Sequence, residues 1–359
     1  MTASHPRPLA DFGGWPTVLG TLIARRDLEP EVAEAAITEI LEGSATPSQM
    51  TAFIVALRAK GETAAELAGM LRAVRTAGQR VDLPADVAGR AVDIVGTGGD
   101  LSQSFNVSTL TAFVVAGAGV PVCKHGNRAA SSKCGAADLL EELGVAAELD
   151  PVGVAECIAE ANMGFCLAAR FHPAFRYTGP SRREIGISTA FNLLGPMANP
   201  APISSMLVGV AAPWMMRPMI EALGSRGVRS AWVVHGHGAV DEITLGGPCQ
   251  VIALREGGIT EFSVDASDIG FANAPLEAIR GGDAGENAAI ARRILAGEAG
   301  PMRNTVVFNA AAALHVAGVA ADLRAGRALA EASIDGGAAA SVLDRLVVAS
   351  DRAAKRLEQ

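Results

Sequence analysis

From residue 91 onward, short apolar segments alternate with segments of helical periodicity, and no other feature constrains the fold as strongly. The strand candidates are residues 91–95, 120–123, 164–167, 206–210, 231–234 and 251–254. The helix candidates are residues 108–118, 136–143, 152–160, 213–226 and 287–295, and residues 332–357 are predicted to form one further helix. Strands that alternate with helices predict an α/β domain with a mostly parallel central sheet.

The residues before this point have a different pattern, which predicts helices without strands. Thr46 precedes Gln49 by three positions and Thr63 precedes Glu66 by three, the capping-box spacing that starts a helix. Gly61 is predicted to end the first of these helices, just before the second begins. We therefore predict a small set of antiparallel helices over residues 15–77, followed by a polar connector over residues 79–90.

The composition excludes several classes of protein. A chain of 359 residues with a net charge of −8 has no broad electrostatic reason to bind nucleic acid or an anionic membrane. Its five cysteines lack Cys-x-x-Cys spacing and are odd in number, which favours a reduced cytoplasmic protein over a disulfide framework or a zinc site. The apolar run 113–123 is too short for a membrane span, and residues 1–12 show no secretion signal.

A glycine-rich segment, GTGGD at residues 96–100, directly follows the first predicted strand, and NVST at residues 106–109 opens the next helix. Glycines allow the backbone to aim several N–H groups into one concavity, and a helix N-terminus attracts anions through its free N–H groups and its dipole. Together they predict a phosphate or pyrophosphate site. An ordinary strand-to-helix turn with an Asn cap is the alternative, because a glycine-rich loop alone is weak evidence.

A basic segment, KHGNR at residues 124–128, follows the second predicted strand and leads to SSK at residues 131–133. It places cations and hydroxyls at the carboxyl end of a strand, where open α/β sheets bind ligands. This pattern predicts a second anion loop, with a solvated basic loop as the alternative.

Arginines are frequent over residues 170–183, and Arg182 and Arg183 are adjacent. Paired arginines can hold a carboxylate through a two-pronged hydrogen bond. Read alone, the pair is better explained by a surface salt bridge with Glu184.

Asp241 and Glu242 follow the predicted strand at residues 231–234. Adjacent carboxylates can hold Mg²⁺, which prefers oxygen ligands and often bridges to substrate phosphates. A charged polar loop is the alternative for this pair alone. In combination with the two anion loops and the arginines, the pair predicts a site for a magnesium-pyrophosphate substrate and a small carboxylate.

The sequence resembles the anthranilate phosphoribosyltransferase family along nearly its whole length. The resemblance is carried by DIVGTGGD at residues 93–100, FNVST at 105–109, KHGNRAASS at 124–132, RREIGISTAFNLLGPMANP at 182–200 and VDEIT at 240–244. It implies a magnesium-dependent enzyme of tryptophan biosynthesis that joins the amine of anthranilate to the ribose of phosphoribosyl pyrophosphate (PRPP). It also implies a homodimer built through the helical domain.

The resemblance implies a division into two domains, with the active site in the cleft between them. A small helical domain is expected over residues 12–78, joined by helices around residues 175–195. A large α/β domain is expected over residues 91–174 and 196–357.

The resemblance also assigns roles to individual residues. PRPP binding is expected of Gly96, Gly99, Asp100, Ser104, Asn106, Val107, Ser108, Thr109, Lys124, His125, Gly126, Asn127, Arg128, Ala129, Ala130, Ser131, Ser132 and Ala136. Anthranilate binding is expected of Gly96, Asn127 and Arg182, and metal binding of Ser108, Asp241 and Glu242. No single general base is assigned, and His125 is the candidate nearest in sequence.

At several positions the chain departs from the usual family pattern. Leu101 stands where Gly is frequent, Ser104 and Ala198 where Thr is common, and Ala136 where Ser is frequent. These departures bear on the affinity for PRPP more than on the reaction, since the metal pair, Asn127 and Arg182 are retained.

Two other functions remain open from the sequence. A pyrimidine nucleoside phosphorylase shares the implied architecture but uses phosphate and a nucleoside, and has little need of a metal pair. A non-catalytic relative that binds nucleic acid would have a basic groove and a damaged metal site. The net negative charge and the intact Asp241–Glu242 pair favour the transferase.

Overall fold

The computed structural model describes residues 7–100, 102–129 and 132–358. Its N-terminal part contains a 3-10 helix over Leu9–Phe12 and then α1 (Gly14–Ile23), α2 (Pro30–Leu41), α3 (Pro47–Lys60) and α4 (Ala64–Ala77). The predicted capping boxes are confirmed, since the Thr46 and Thr63 hydroxyls each accept a hydrogen bond from the backbone N–H three residues later. Gly61 caps the end of α3, as predicted.

The rest of the described chain is built from strands and helices in alternation. The strands are β1 (Val92–Gly96), β2 (Val122–Gly126), β3 (Met163–Leu167), β4 (Ser205–Gly209), β5 (Ser230–His235), β6 (Cys249–Arg255) and β7 (Gly258–Val264). The helices are α5 (Ala85–Ala88), α6 (Val107–Gly117), α7 (Ala136–Glu142), α8 (Pro151–Ala161), α9 (Ala168–Phe171), α10 (Gly179–Ile185), α11 (Ala190–Met197), α12 (Met216–Ser225), α13 (Ala284–Leu295), α14 (Pro301–Val316), α15 (Leu323–Asp335) and α16 (Ala338–Leu357). Further 3-10 helices span Pro173–Tyr177, Pro213–Met215, Ala266–Ile269 and Leu276–Ile279.

Within the described residues the strands form one sheet in the order β3-β2-β1-β4-β5-β6-β7. Strands β1 to β5 are parallel, and β6 and β7 join as an antiparallel edge. The α/β prediction with a mostly parallel sheet is therefore confirmed. Because the chain runs from β1 outward to β3 and then returns to β4 on the other side of β1, the strand order reverses between β1 and β4. Ligands of open α/β sheets bind at such a switch point, beyond the carboxyl ends of the strands.

One expectation about the C-terminal half is wrong, and one strand there was not predicted. Residues 332–357 do not form one helix, because α15 ends at Asp335 and α16 begins at Ala338, with Gly337 between them at a φ of 74°. The edge strand β7 was not predicted, because most of its side chains are exposed and it lacks an apolar run. Among the described residues, no helix combines the length and the apolar character that crossing a membrane requires.

The helices α10 and α11 return to the N-terminal helices. Helix α10 packs on α3, and α11 packs on both α3 and α4. Helix α12 also contacts α4, so the sheet side of the molecule is in direct contact with the helical part. This packing suits the discontinuous small domain implied by the resemblance, although the domain boundaries themselves remain a prediction.

A buried carboxylate joins the sheet to the segment after α11. Asp93 on β1 accepts the backbone N–H of His125 on β2 at 3.0 Å and the side-chain amide of Asn199 at 2.8 Å. Burial raises the pKa of Asp93 to about 6, and its hydrogen-bond donors and the charge of Lys124 oppose the shift. This network fixes β2 relative to β1 directly below the second loop.

Candidate active site

The predicted metal pair, Asp241 and Glu242, lies after β5 and packs against the ends of neighbouring strands. A Cβ on Gly209 would lie 1.6 Å from the Asp241 carbonyl oxygen, and a Cβ on Gly236 would lie 2.0 Å from that of Glu242. A Cβ on Gly96 would lie 2.3 Å from the Asp241 carboxylate. Since Gly96 ends β1 and Gly209 ends β4, the pair sits over the switch point of the sheet.

The closest of these approaches yields a prediction for Gly209→Ala. Its new methyl group would overlap backbone rather than a flexible side chain, so either β4 or the acidic loop must move. We expect the free energy of unfolding to fall by about 1–3 kcal/mol, the usual cost of overpacking, and magnesium-dependent ligand binding to weaken. Chemical denaturation of the purified variant measures the first effect.

Gly224→Ala on α12 is the matched control for this substitution. Its Cβ would meet only the Leu254 side chain, at 3.5 Å, which is an ordinary contact. Alanine also favours a helix over glycine, so this variant should be at least as stable as the wild type. Wild-type stability in Gly209→Ala would contradict the close packing of the acidic loop on β4.

The loop after β1 and the N-terminus of α6 are hydrogen-bonded to the acidic pair. The Gly98 N–H donates to the Asp241 carboxylate at 2.6 Å, and the Ser108 N–H donates to the Glu242 carboxylate at 3.1 Å. Gly98 and Gly99 have φ values of 67° and 77°, a conformation that is strained for residues with a side chain. The predicted phosphate loop and the predicted metal pair therefore form one site.

Lys124 is a buried cation in this site. Its side chain is 1% exposed, and its ammonium donates to the Ile94 carbonyl oxygen at 2.6 Å and to the Ser108 hydroxyl at 3.1 Å. Burial lowers the pKa of Lys124, and the nearby carboxylates, Asp93 first among them, oppose that shift. The site thus holds a positive charge whose position is fixed by two hydrogen bonds.

The acidic pair is electrostatically suited to a cation. Burial raises the pKa of Asp241 to about 7, and the charge of Asp100 adds to the shift. Burial also raises the pKa of Glu242 well above its ordinary value, with the charge of Asp241 as the second cause. Two desolvated carboxylates that repel each other are stabilised in their charged forms by a cation between them.

The donor set matches magnesium better than a transition metal. Across residues 7–100, 102–129 and 132–358, no three His, Cys, Asp or Glu side chains form a metal-binding group. The pair would supply two carboxylates, and Ser108 is joined to one of them through its backbone N–H. Mg²⁺ is commonly held by one or two carboxylates and keeps its other positions for water and substrate phosphates.

His125, the candidate base, has its ring in the interior. Its Nδ1 lies 3.1 Å from the Gly195 carbonyl oxygen on α11, and its ring packs edge-on against His172 at 5.3 Å. Burial lowers the pKa of His125 well below its ordinary value, and the charge of His172 adds to that shift. A neutral ring in contact with α11 suits a positioning role, and the catalytic assignment stays a prediction.

The second loop is closed by contacts with α7. The Asp138 carboxylate accepts the backbone N–H groups of Ala129 at 2.9 Å and of Gly135 at 2.8 Å. The Arg128 guanidinium forms ion pairs with Glu141 at 2.6 Å and with acidic neighbours, and therefore points toward α7. Asn127 is exposed.

Two of the other predicted residues of the second loop, Ser132 and Ala136, are described by the structure. Ala130 and Ser131, like Leu101 in the first loop, lie outside the described residues. Ser132 is exposed, and its hydroxyl donates to the Cys134 carbonyl oxygen at 3.3 Å. Ala136 begins α7 and would contact a Cβ on Gly126 at 3.2 Å, so both positions suit small residues.

Arg182 on α10 is partly buried, unlike the other predicted arginines of this segment. Its guanidinium carbon lies 5.4 Å from the centre of the Phe191 ring, and burial lowers its pKa. No carboxylate among the described residues lies within salt-bridge distance of it. The other arginines of the segment, Arg170, Arg176 and Arg183, are exposed. Arg182 thus has a partly buried guanidinium available to an external carboxylate, and the alternative of an ion pair with Glu184 does not apply in this structure.

The first loop contains the other predicted PRPP residues. The Asp100 carboxylate accepts the backbone N–H of Ser102 at 3.2 Å and its hydroxyl at 2.7 Å. Ser104 pairs with Arg280 in an isolated antiparallel bridge. Val107 and Thr109 are buried at the start of α6.

Asn309 on α14 contacts this site but was not found from the sequence. Its fully buried side chain donates to the Ile243 carbonyl oxygen at 2.8 Å and accepts the Ile243 N–H at 3.1 Å. This two-point contact holds the backbone directly after Glu242. The only sequence signal is a polar residue inside an otherwise apolar helical run, NAAAAL at residues 309–314.

Comparison with known proteins agrees with this geometry. The family model described as "Glycosyl transferase family, a/b domain" matches residues 88–340, and that described as "Glycosyl transferase family, helical bundle domain" matches residues 16–78. The anthranilate phosphoribosyltransferase of Xanthobacter autotrophicus is 46% identical over 342 residues, covering 95% of this chain and 98% of the relative. That of Roseiflexus castenholzii is 49% identical over 331 residues, covering 92% and 96%.

Solved structures show the same similarity. The crystal structure of anthranilate phosphoribosyltransferase from Thermus thermophilus is 41% identical and superimposes with a TM-score of 0.88, covering 93% of this chain and 99% of the other. The enzyme from Saccharomyces cerevisiae in complex with PRPP and Mg is 26% identical, with a TM-score of 0.84 and coverages of 94% and 98%.

Proposed function

This chain belongs to the anthranilate phosphoribosyltransferase family, and from that premise we propose that it transfers the phosphoribosyl group of PRPP to the amine of anthranilate. The products are N-(5-phosphoribosyl)anthranilate and pyrophosphate, and the reaction is a step of tryptophan biosynthesis. One observation carries the proposal: backbone N–H groups of the first anion loop donate to the acidic pair, and Lys124 lies in the same site.

The cofactor in this proposal is Mg²⁺, held by the carboxylates of Asp241 and Glu242 and by the Ser108 hydroxyl. The raised pKa values of the two carboxylates support it, because their burial and mutual repulsion favour a bound cation. When bound, Mg²⁺ neutralises charge on the pyrophosphate of the substrate and so makes it a better leaving group.

The residues of the chain bind and orient PRPP. Displacement at the anomeric carbon develops positive charge on the ribose and negative charge on the departing pyrophosphate. The Lys124 ammonium is a fixed cation that stabilises this negative charge, and first-loop N–H groups that do not donate to the acidic pair add to it. The second loop, which follows β2, is proposed to bind the phosphates as well.

Anthranilate is positioned by its carboxylate. Its aromatic amine is already a nucleophile, so orientation contributes more than a strong base does. Arg182 holds the carboxylate through a two-pronged hydrogen bond, and Gly96 and Asn127 line the approach. The partly buried guanidinium of Arg182 supports this role. Because none of the described carboxylates pairs with it, its N–H groups are available to the carboxylate of the substrate.

Replacing Arg182 with alanine should raise the KM for anthranilate about 10- to 100-fold, the loss expected for hydrogen bonds to a charged group. The KM for PRPP should change little, because Arg182 is assigned to the other substrate. Steady-state kinetics with each substrate varied in turn measures the split. Arg183→Ala is the matched control, since Arg183 is the exposed neighbour on the same helix. An equal rise in both KM values would contradict the carboxylate clamp.

The nucleoside phosphorylase alternative is tested by offering the protein both sets of substrates. Pyrophosphate release from PRPP that depends on anthranilate and stops in excess EDTA supports the transferase. Phosphorolysis of uridine or thymidine, unaffected by EDTA, would support the phosphorylase instead. The two outcomes exclude each other as the main activity, so one purified preparation decides between them.

The assembly and location of the protein are also proposals. We propose a homodimer formed through the helical domain, supported by exposed apolar side chains at Val55 on α3 and Ile187 after α10. Sedimentation equilibrium separates a dimer from a monomer. A cytoplasmic location is supported by the cysteines, all five of which are free and buried, and fractionation of cells tests it.

A further inference from the structure

A segment near the start of α13 is hydrogen-bonded to the first anion loop. The backbone N–H of Gly281 donates to the Gln103 carbonyl oxygen at 2.8 Å, and the N–H of Phe105 donates to the Ile279 carbonyl oxygen at 3.1 Å. A Cβ on Gly281 would lie 2.6 Å from the Phe105 Cα, so the two backbones are in direct contact. The start of α13 is therefore held against the N-terminus of α6.

Asn287 lies at this junction and is 2% exposed. Its side-chain oxygen accepts the backbone N–H of Gly282 at 2.8 Å. Its side-chain N–H donates to the side-chain oxygen of Asn106, at the N-cap of α6, at 2.9 Å. The Asn106 amide in turn donates to the Cys134 carbonyl oxygen in the second loop at 3.2 Å. We call this row of three hydrogen bonds the amide relay.

The amide relay has only one possible direction. A backbone N–H can only donate, so the oxygen of Asn287 must face Gly282 and its NH₂ group must face Asn106. A backbone carbonyl can only accept, so the NH₂ group of Asn106 must face Cys134. Both ends therefore require the same arrangement, with the Asn106 oxygen used inside the relay and one of its two amide hydrogens left over.

We propose that Asn287 is a positioning residue for PRPP, because it and the Cys134 carbonyl oxygen together fix the polarity of the Asn106 amide. With Asn287 in place, Asn106 offers an N–H to a phosphate, and its oxygen is turned away and already hydrogen-bonded. Without it only the Cys134 carbonyl oxygen opposes a flip of the amide, and a flipped amide turns its oxygen toward the phosphate, which repels. The relay also links the two anion loops, through Asn106 in one and Cys134 in the other. This inference rests on the proposed function, since it needs PRPP as the ligand of Asn106.

The variant Asn287→Asp changes the polarity with almost no change of shape. It keeps the oxygen that accepts from Gly282 but presents a second oxygen to the Asn106 oxygen. The two oxygens repel, and Asn106 can avoid this repulsion only by flipping against the Cys134 carbonyl oxygen. We expect the Kd for PRPP, measured by calorimetry in the presence of Mg²⁺, to rise about 10-fold, as for the loss of one hydrogen bond to a charged ligand. The KM for anthranilate should stay unchanged.

Asn287→Asp also adds a negative charge, and a double-mutant cycle with Asn106→Ala separates the two effects. If Asn287 acts through Asn106, the double variant should bind PRPP as Asn106→Ala does, within about twofold. If charge alone weakens binding, the full effect of Asn287→Asp should recur when Asn106 is absent. That second result would overturn the inference, as would wild-type PRPP binding in Asn287→Asp.

Control variants separate an effect on PRPP binding from an effect on folding. Ile294→Val removes one methyl group from the buried face of the same helix, and it should lower stability without changing the Kd for PRPP. If Asn287→Asp does not fold, Asn287→Ala replaces it in the same cycle. Failure of the wild type to bind PRPP would contradict the proposed function, whereas normal wild-type binding with unchanged binding in the Asn287 variants would contradict the positioning role alone.

Discussion

Replacing both acidic residues, in Asp241→Asn/Glu242→Gln, should lower kcat/KM for PRPP by roughly 10³-fold or more. A metal ion that neutralises leaving-group charge contributes several kcal/mol to transition-state stability, and each 1.36 kcal/mol is a factor of ten in rate. The amides keep the shape of the loop but lose the charge that holds the cation. Calorimetric titration with PRPP should show that Mg²⁺ no longer strengthens binding.

The same variant should be more stable than the wild type in the absence of metal. Burial raises the pKa of Asp241 to about 7, so ionising it costs more in the folded than in the unfolded protein. The wild type therefore loses stability as the pH rises from the ordinary Asp range through about 7, and the amides remove this loss. At pH 8 without metal we expect a higher Tm for the variant, and the difference should shrink as the pH is lowered.

A control variant with the same change of net charge tests whether these effects are specific to the acidic pair. Glu256→Gln/Asp344→Asn neutralises two exposed carboxylates, one at the β6–β7 turn and one on α16. Its activity and its magnesium dependence should match those of the wild type. Activity in Asp241→Asn/Glu242→Gln within tenfold of wild type would contradict the assignment of the metal to this pair.

Replacing Lys124 with methionine should lower kcat by about 10²–10³-fold, the usual cost of removing one fixed donor from a developing charge. Lys124 is 1% exposed, and its ammonium is held by the Ile94 carbonyl and the Ser108 hydroxyl. Its loss also leaves the acidic residues without their nearest cation, which should raise their pKa values further. The pH at which activity appears should therefore shift upward.

Presteady-state kinetics and a pH–rate profile measure the two effects of Lys124→Met separately. Lys355→Met is the control, because Lys355 is an exposed lysine of α16 that pairs only with Asp351 among the described residues. Unchanged kcat with an increased Kd for PRPP would show that Lys124 binds the ground state alone. That outcome would contradict its role in stabilising the leaving pyrophosphate.

Much of this site could be predicted because its residues follow strands directly. A glycine-rich loop after β1, a basic segment and an acidic pair after β5 are local patterns, and parallel strands bring their carboxyl ends to one edge. The basic segment begins inside β2, as the last three residues of the strand, and not after the strand as predicted. The hydrogen bonds from Gly98 and Ser108 to the acidic pair agree with that expectation. The sequence also predicted the N-terminal helices through their capping boxes, which depend only on residues three positions apart.

The residues that the sequence did not reveal act over long separations. Asn287 contacts Asn106 across 181 positions, and Asn309 contacts Ile243 across 66. Each is a polar residue in a helical segment, where the pattern alone indicates a side chain on the helix surface. Only the packing of α13 on α7 and of α14 on β4 shows that these amides are buried and paired with the loops. The break in the tail at Gly337 was missed because helical periodicity continues on both sides of it.

The most direct test of the account is to mix the protein with anthranilate, PRPP and MgCl₂ and to follow the fluorescence of anthranilate. We predict a loss of fluorescence that requires both PRPP and Mg²⁺, releases one pyrophosphate for each anthranilate consumed, and disappears in Asp241→Asn/Glu242→Gln. No loss of fluorescence in a folded protein that binds PRPP would contradict the account, because the phosphoribosyl acceptor would then be another molecule.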